Sequence, residues 1–164
     1  MRTLLRSLLS LALIVWVGAE IFFPVVAATT FRVLAPNTHT AGQIVGSLLR
    51  TLHWVGMVAG MVALVVLALG PAWGFARSRV LLAAMSLLVV MLACTVYSQF
   101  VIIPAMEQDR IAAGGAIDQV AETHPARVHF NQLHRFSTKV EGAVLFAGLA
   151  TVILLAWADA SKAQ

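Results

Sequence analysis

Charge is what this chain has least of. Only 11% of its 164 residues are Asp, Glu, Lys or Arg, against about 25% in an ordinary soluble domain. With 60% hydrophobic residues and a mean hydropathy of +0.91, there is too little polar surface to cover a soluble core, so a soluble globular fold is excluded. A single cysteine, Cys94, excludes an intramolecular disulfide framework and leaves the redox compartment undetermined. A phosphate loop, a dinucleotide fingerprint, CxxC, HExxH and a nucleophile elbow are all missing, which removes the usual soluble catalytic signatures. A membrane oxidoreductase, which needs only histidines and a cofactor, stays open. The net charge is +4, but the basic residues are scattered at the ends of apolar runs and form no stripe with interleaved aromatics. That distribution argues against a nucleic-acid partner.

What is present in quantity is aliphatic sequence. Residues 8–28, 51–69, 80–103 and 140–157 form four runs that reach or approach the roughly 18 to 20 residues needed to cross a ~30 Å hydrocarbon layer. The expected fold is therefore all-α, an integral membrane four-helix bundle in one domain, 1–164. Its spans are expected at about 7–28, 45–69, 80–103 and 129–157, with the lipid bilayer as the surrounding partner. Arg2 and Arg6 precede the first run, and Arg77 and Arg79 separate the second from the third. By the positive-inside rule both termini are cytoplasmic, in what we expect to be a bacterial inner membrane, although Arg32 and Arg50 run against that bias. The first run exceeds the 7 to 15 residues of a signal-peptide core, and Glu20 and Pro24 interrupt it, so it is expected to be retained as a span.

The connections carry weaker signals. Residues 28–37 mix Phe31, Val33 and Leu34 with Arg32 and suit a stretch lying along the membrane surface. Thr38 or Thr40 is expected to cap a second helix, which Gly70 and Pro71 end. The fourth helix is expected to start near Thr123, with Pro125 in its first turn. Gly114 and Gly115 break the acidic connection before it, with a short helix expected at about 117–122. Gly56 and Gly60 form a small-xxx-small pair that lets another helix approach closely.

A repeat organises the polar residues. Glu20 and Pro24 close the first run as Gln99 and Pro104 close the third, and His53 recurs as His134, at offsets of 79, 80 and 81. Two tandem helical hairpins are implied, related by a pseudo-twofold axis along the membrane normal. Counted from the ends of the spans, Glu20, His53, Tyr97, Gln99, His134 and Glu141 all fall in one layer of the outer leaflet.

A carboxylate within the bilayer costs roughly 2.5 to 3.5 kcal/mol on insertion scales and usually faces a partner or a cavity. Glu20 is thus the most informative residue: a proton or cation site, or a protonated group fastening helices. His134, Ser137 and Glu141 share one face of the last helix. His53 and His134 are the candidate cofactor ligands, and Glu20, His53, His134 and Glu141 the candidate metal set, with Gln99, Tyr97 and Ser137 as polar support. Neutral imidazole suits copper, and two opposed histidines can hold haem iron axially. His39 and His124 read as solvated loop residues. The functions consistent with this layer are binding or passage of a metal ion, haem or proton. The alternatives are a structural or assembly subunit of a membrane complex with no ligand, or a haem-dependent membrane oxidoreductase; a homo-oligomer or a membrane complex partner is compatible with each.

The segment Trp16-Val-Gly-Ala-Glu20-Ile-Phe-Phe-Pro24, followed by Phe130-Asn-Gln-Leu-His134-Arg-Phe-Ser-Thr138 and Glu141, resembles the transmembrane-protein-205-like family, a domain of unknown function. That family is distantly similar to four-helix proteins of the copper-resistance D type. The resemblance implies a four-helix topology, without a reaction.

Overall fold

The computed structural model describes residues 1–73 and 78–160, and its architecture is the expected helical one. Helix α1 covers Arg2–Val33 and α2 Thr38–Leu69, followed by a 3-10 turn at Gly70–Trp73. Helix α3, Arg79–Tyr97, passes through a π turn, Ser98–Ile102, into α4, Ile103–Ala112, and α5 covers Pro125–Ala160. Helices α3 and α4 together make one span, so four helices are long and apolar enough to cross a membrane. Arg77 and Lys162 lie outside the described residues.

Helix α1 packs along α2 and α3 along α5; contacts between α2 and α3 and between α1 and α5 close the ring. These are the pairings that two hairpins require. The core is a thread of interlocking side chains, Leu13, Trp16, Ala63, Leu88, Met91 and Val144, all nearly or fully buried. The outward faces carry Leu11, Ile14, Phe22, Val58, Met61, Phe146 and Ile153, all well exposed. An apolar exterior all round has no stable partner in water and is what lipid contact requires.

Glycines set the closest approaches. A Cβ at Gly56 would lie 2.5 Å from Nε1 and 2.9 Å from Cε2 of Trp16, and one at Gly60 would overlap the same indole. On α5, Gly148 admits Val17 of α1 and Met91 of α3. The small pair on α2 therefore receives a large side chain, Trp16, in place of the expected helix backbone.

Several connections depart from expectation. Residues 28–33 form no separate segment: α1 continues through Pro24 to Val33, and at 1.5 Å per residue it is about 48 Å long. Pro24 removes only the bond to the Glu20 carbonyl, and helical bonding resumes beyond it. The cap of α2 is Asn37, whose side chain accepts from the Thr40 amide at 3.0 Å, not Thr38 or Thr40. The third span runs past Pro104 to Ala112, because the π turn absorbs the disruption a proline imposes on the preceding turn. No helix forms at 117–122; turns occupy that stretch. Arg127 clamps it from below, donating to the Asp118 and Val120 carbonyls at 3.3 and 2.6 Å. Gly114 and Gly115 do break the connection, at φ +76° and +99°. His124 is no free loop residue: its Nδ1 accepts from the Ala126 amide at the start of α5. His39 sits in the first turn of α2.

Candidate functional site

Four helices bring their polar side chains to one place. Glu20 on α1 is 4% exposed, and its Oε1 accepts from the indole Nε1 of Trp16 at 3.2 Å, one turn earlier. His53 on α2 is fully buried. Its Nδ1 lies 3.0 Å from Gln99 Oε1 in the π turn, and its Nε2 lies 3.0 Å from Glu141 Oε1 on α5. Ser98 donates its hydroxyl to the same Glu141 oxygen at 2.9 Å, and Glu20 is close enough to interact electrostatically with both Glu141 and His53. The other carboxylate oxygen, Glu141 Oε2, is buried with no hydrogen-bond partner among the described residues.

The local structure explains the convergence. Adjacent residues on a regular α-helix point about 100° apart, yet Ser98 and Gln99 both reach the cluster. They stand at the start of the π turn, whose wider winding swings them together. Trp16 and Glu20 are four apart on α1 and share a face, and Gly56 leaves the space in which the indole nitrogen sits.

The hydrogen-bond count carries chemical information. Both nitrogens of His53 stand against oxygens, while a neutral imidazole has one donor and one acceptor. If His53 is an imidazolium, it donates to Gln99 and Glu141 at once. If the proton moves to Glu141, the acid donates back to Nε2, and the pair keeps the same total charge. If instead the imidazolium loses its Nδ1 proton, a half-turn of the Gln99 amide presents its N–H to Nδ1, and Nε2–H still donates to Glu141. The cluster thus has arrangements that differ by one proton and lose no hydrogen bond.

The cluster adjoins a cavity of about 710 Å³ at the end of the bundle that holds the α1–α2 and α4–α5 connections. Glu20 and Glu141 face it, together with Ser137 and Gly142; Phe23, Phe31, Ile103, Met106, Phe130 and Leu145 make its walls apolar. Arg50 and Arg110 also line it, but both turn to Glu107, at 3.6 and 3.1 Å. Asp118 closes the rim, accepting from the Thr38 hydroxyl. That bond, with smaller help from His39 and Arg127, holds its carboxyl below the usual 3.8.

Of the residues singled out in the sequence, Glu20, His53, Gln99 and Glu141 are assembled here. His134 is exposed, stacked on Phe130 with ring centroids 6.3 Å apart, and lines the cavity. The repeat therefore does not make it the equivalent of buried His53. Tyr97 is 48% exposed and meets Phe136 edge-on. Among the described residues, no group of three or more His, Cys, Asp or Glu side chains is placed to hold a metal ion. Sequence reasoning missed Trp16 and Ser98. The four-residue spacing from Trp16 to Glu20 was a readable signal; nothing in the sequence announced that the turn at Ser98 is a π turn.

An all-α bundle with four membrane-compatible helices, an apolar exterior and a buried polar cluster is a multi-pass membrane protein. The chain belongs to the family described as Domain of unknown function (DUF4149), whose family model matches residues 11–111. The match takes in Glu20, His53, Ser98 and Gln99 and stops short of Glu141. No curated protein and no solved structure matches the chain.

Proposed function

We propose that this membrane protein binds and passes protons at the cluster of Glu20, His53, Gln99 and Glu141, exchanging them with the adjoining cavity. One observation carries the reading: His53 bridges an amide and a carboxylate at 3.0 Å each, in an arrangement that gains or loses one proton with every hydrogen bond kept. A purely structural fastening needs no such freedom. With both termini in the cytoplasm, as the basic residues favour, the cavity faces the far side of the membrane.

This reading stands ahead of a copper or haem site. Both nitrogens of His53 are already engaged, so ligation through either would first strip a hydrogen bond from a buried ring, and His134 stacks on Phe130 instead of facing it. The resemblance to the transmembrane-protein-205-like family is compatible with either chemistry.

Infrared difference spectra of the purified full chain, stepped between about pH 5 and 9, the range in which histidine switches, test the proposal. The expected result is one carboxylic-acid carbonyl band that changes with pH, accompanied by imidazole bands. It should move or vanish in Glu141→Gln, and the pH step should be lost in Gln99→Leu, which cannot turn a donor toward Nδ1. Spectra in which no group of the cluster changes protonation would refute proton handling and leave a structural cluster.

A further inference from the structure

The cavity adds a second requirement to the cluster. Its lining holds four carboxylates, Glu20, Glu107, Asp118 and Glu141, against two guanidinium groups, Arg50 and Arg110. Both guanidinium groups are committed to Glu107, and Asp118 is committed to Thr38 at the rim. Among the described residues, Glu20 and Glu141 on the floor have no lysine or arginine partner, while the two guanidinium groups leave one positive charge in excess at Glu107 on the wall. His53 as an imidazolium balances one of them, through its bond to Glu141. One negative charge remains in a setting where an unbalanced charge costs several kcal/mol. A proton on Glu20 or Glu141 removes it; so does one monovalent cation in the cavity.

The size and chemistry of the walls select among cations. A dehydrated metal ion needs several oxygen or nitrogen ligands at about 2 to 2.6 Å, and no group of three or more His, Cys, Asp or Glu side chains among the described residues is placed to hold one. A cavity of about 710 Å³ is of the size that holds a drug-like molecule. Phe23 and Phe31 in its walls are aromatic rings of the kind that attract organic cations once water is excluded, while Phe130 is already engaged by Arg110 and His134. An anionic amphiphile would meet floor carboxylates and would have to displace Glu107 from both arginines.

We propose that the cavity binds a lipophilic organic monocation in exchange for one proton of the Glu20–His53–Glu141 cluster. This rests on the proton-handling reading above and names the class of substrate coupled to it. Entry of the cation and departure of the proton leave the buried charge unchanged, so the two occupants are alternatives at one site. The titratable and charged groups facing the floor are Glu20 from α1, His39, Arg50 and His53 from α2, Glu107 and Arg110 from α4, Asp118 from the connection, and His134 and Glu141 from α5.

The test uses the full chain in detergent with tetraphenylphosphonium as the probe and tetraphenylborate, of the same shape and opposite charge, as the control. Binding is followed calorimetrically in two buffers of different ionisation enthalpy, which reports protons released. Tetraphenylphosphonium is expected to bind more tightly than tetraphenylborate and to release about one proton. Its affinity should rise by up to about tenfold per pH unit while the cluster is protonated, as linkage of one proton requires. Glu20→Gln and Glu141→Gln should each abolish the proton release, and Phe23→Ala should weaken binding while leaving the release per bound cation unchanged. Equal or tighter binding of tetraphenylborate, or cation binding with no proton released by the wild type, would overturn the exchange. If the infrared spectra show the cluster titrating while no cation binds, the substrate class falls and proton handling stands. If the cluster does not titrate, both fall.

Discussion

Replacing Gly56 with alanine probes the link between packing and the proton site. The added methyl would sit 2.5 Å from the Trp16 indole nitrogen and 2.9 and 3.0 Å from its neighbouring ring atoms, far inside carbon contact distance. Trp16 is fully buried and rigid, so the ring cannot step aside cheaply, and overpacking of this kind costs about 1 to 3 kcal/mol. Alanine also brings about 1 kcal/mol of helix propensity that glycine lacks. Gly18 on α1 has nothing within 4 Å of its Cβ position, so Gly18→Ala takes the propensity gain alone. The difference between the two variants cancels that gain and isolates the overlap, about 1 to 3 kcal/mol in favour of Gly18→Ala. Unfolding of each variant in mixed detergent measures it. Because the displaced atom is the donor to Glu20, Gly56→Ala should also alter the carboxyl infrared signal, while Gly18→Ala should not. Equal stability of the two variants, with unchanged spectra, would refute the packing argument.

Two further outcomes follow from the connection that closes the cavity. The hydrogen bond from Thr38 lowers the Asp118 carboxyl below 3.8, so the folded chain binds that proton less tightly than the unfolded one. The resulting stabilisation is present above the unfolded value and is lost as pH falls through the folded one; Thr38→Val should move the Asp118 titration upward in carboxyl NMR, and an unmoved titration would show the bond to be unimportant. Gly115 stands at φ +99°, where a side chain costs about 1 to 3 kcal/mol, so Gly115→Ala should lower the unfolding midpoint although open space surrounds the site; an unchanged midpoint would show that the turn rearranges freely.

The number and type of the helices were legible in the sequence because a bilayer imposes a length and an apolar composition on each span independently of its neighbours. Glu20 stood out for the same reason: a carboxylate inside an aliphatic run is costly wherever the other helices lie. The positions of Gly114, Gly115 and Pro125 were readable too, since backbone preferences act locally. The full length of the helices was not. Pro24 and Pro104 were read as closing the apolar runs, yet the helices continue to Val33 and Ala112, because the backbone reforms its bonds on the far side of a proline once neighbouring helices support it.

The composition of the site was decided by packing. His53 and His134 look alike in sequence, each sitting in a corresponding place of the second and fourth helices, and only the azimuth of each helix separates a buried ring bonded to Gln99 and Glu141 from an exposed one stacked on Phe130. That azimuth depends on Trp16 seating over Gly56 and Gly60 and on Val17 and Met91 seating against Gly148. The sequence by itself determined a four-span membrane bundle with a buried acid, since those follow from transfer energies summed residue by residue along the chain. Which polar side chains share a hydrogen bond, and the cavity beside them, depend on contacts between residues as far apart as His53 and Glu141, which only the tertiary structure brings together.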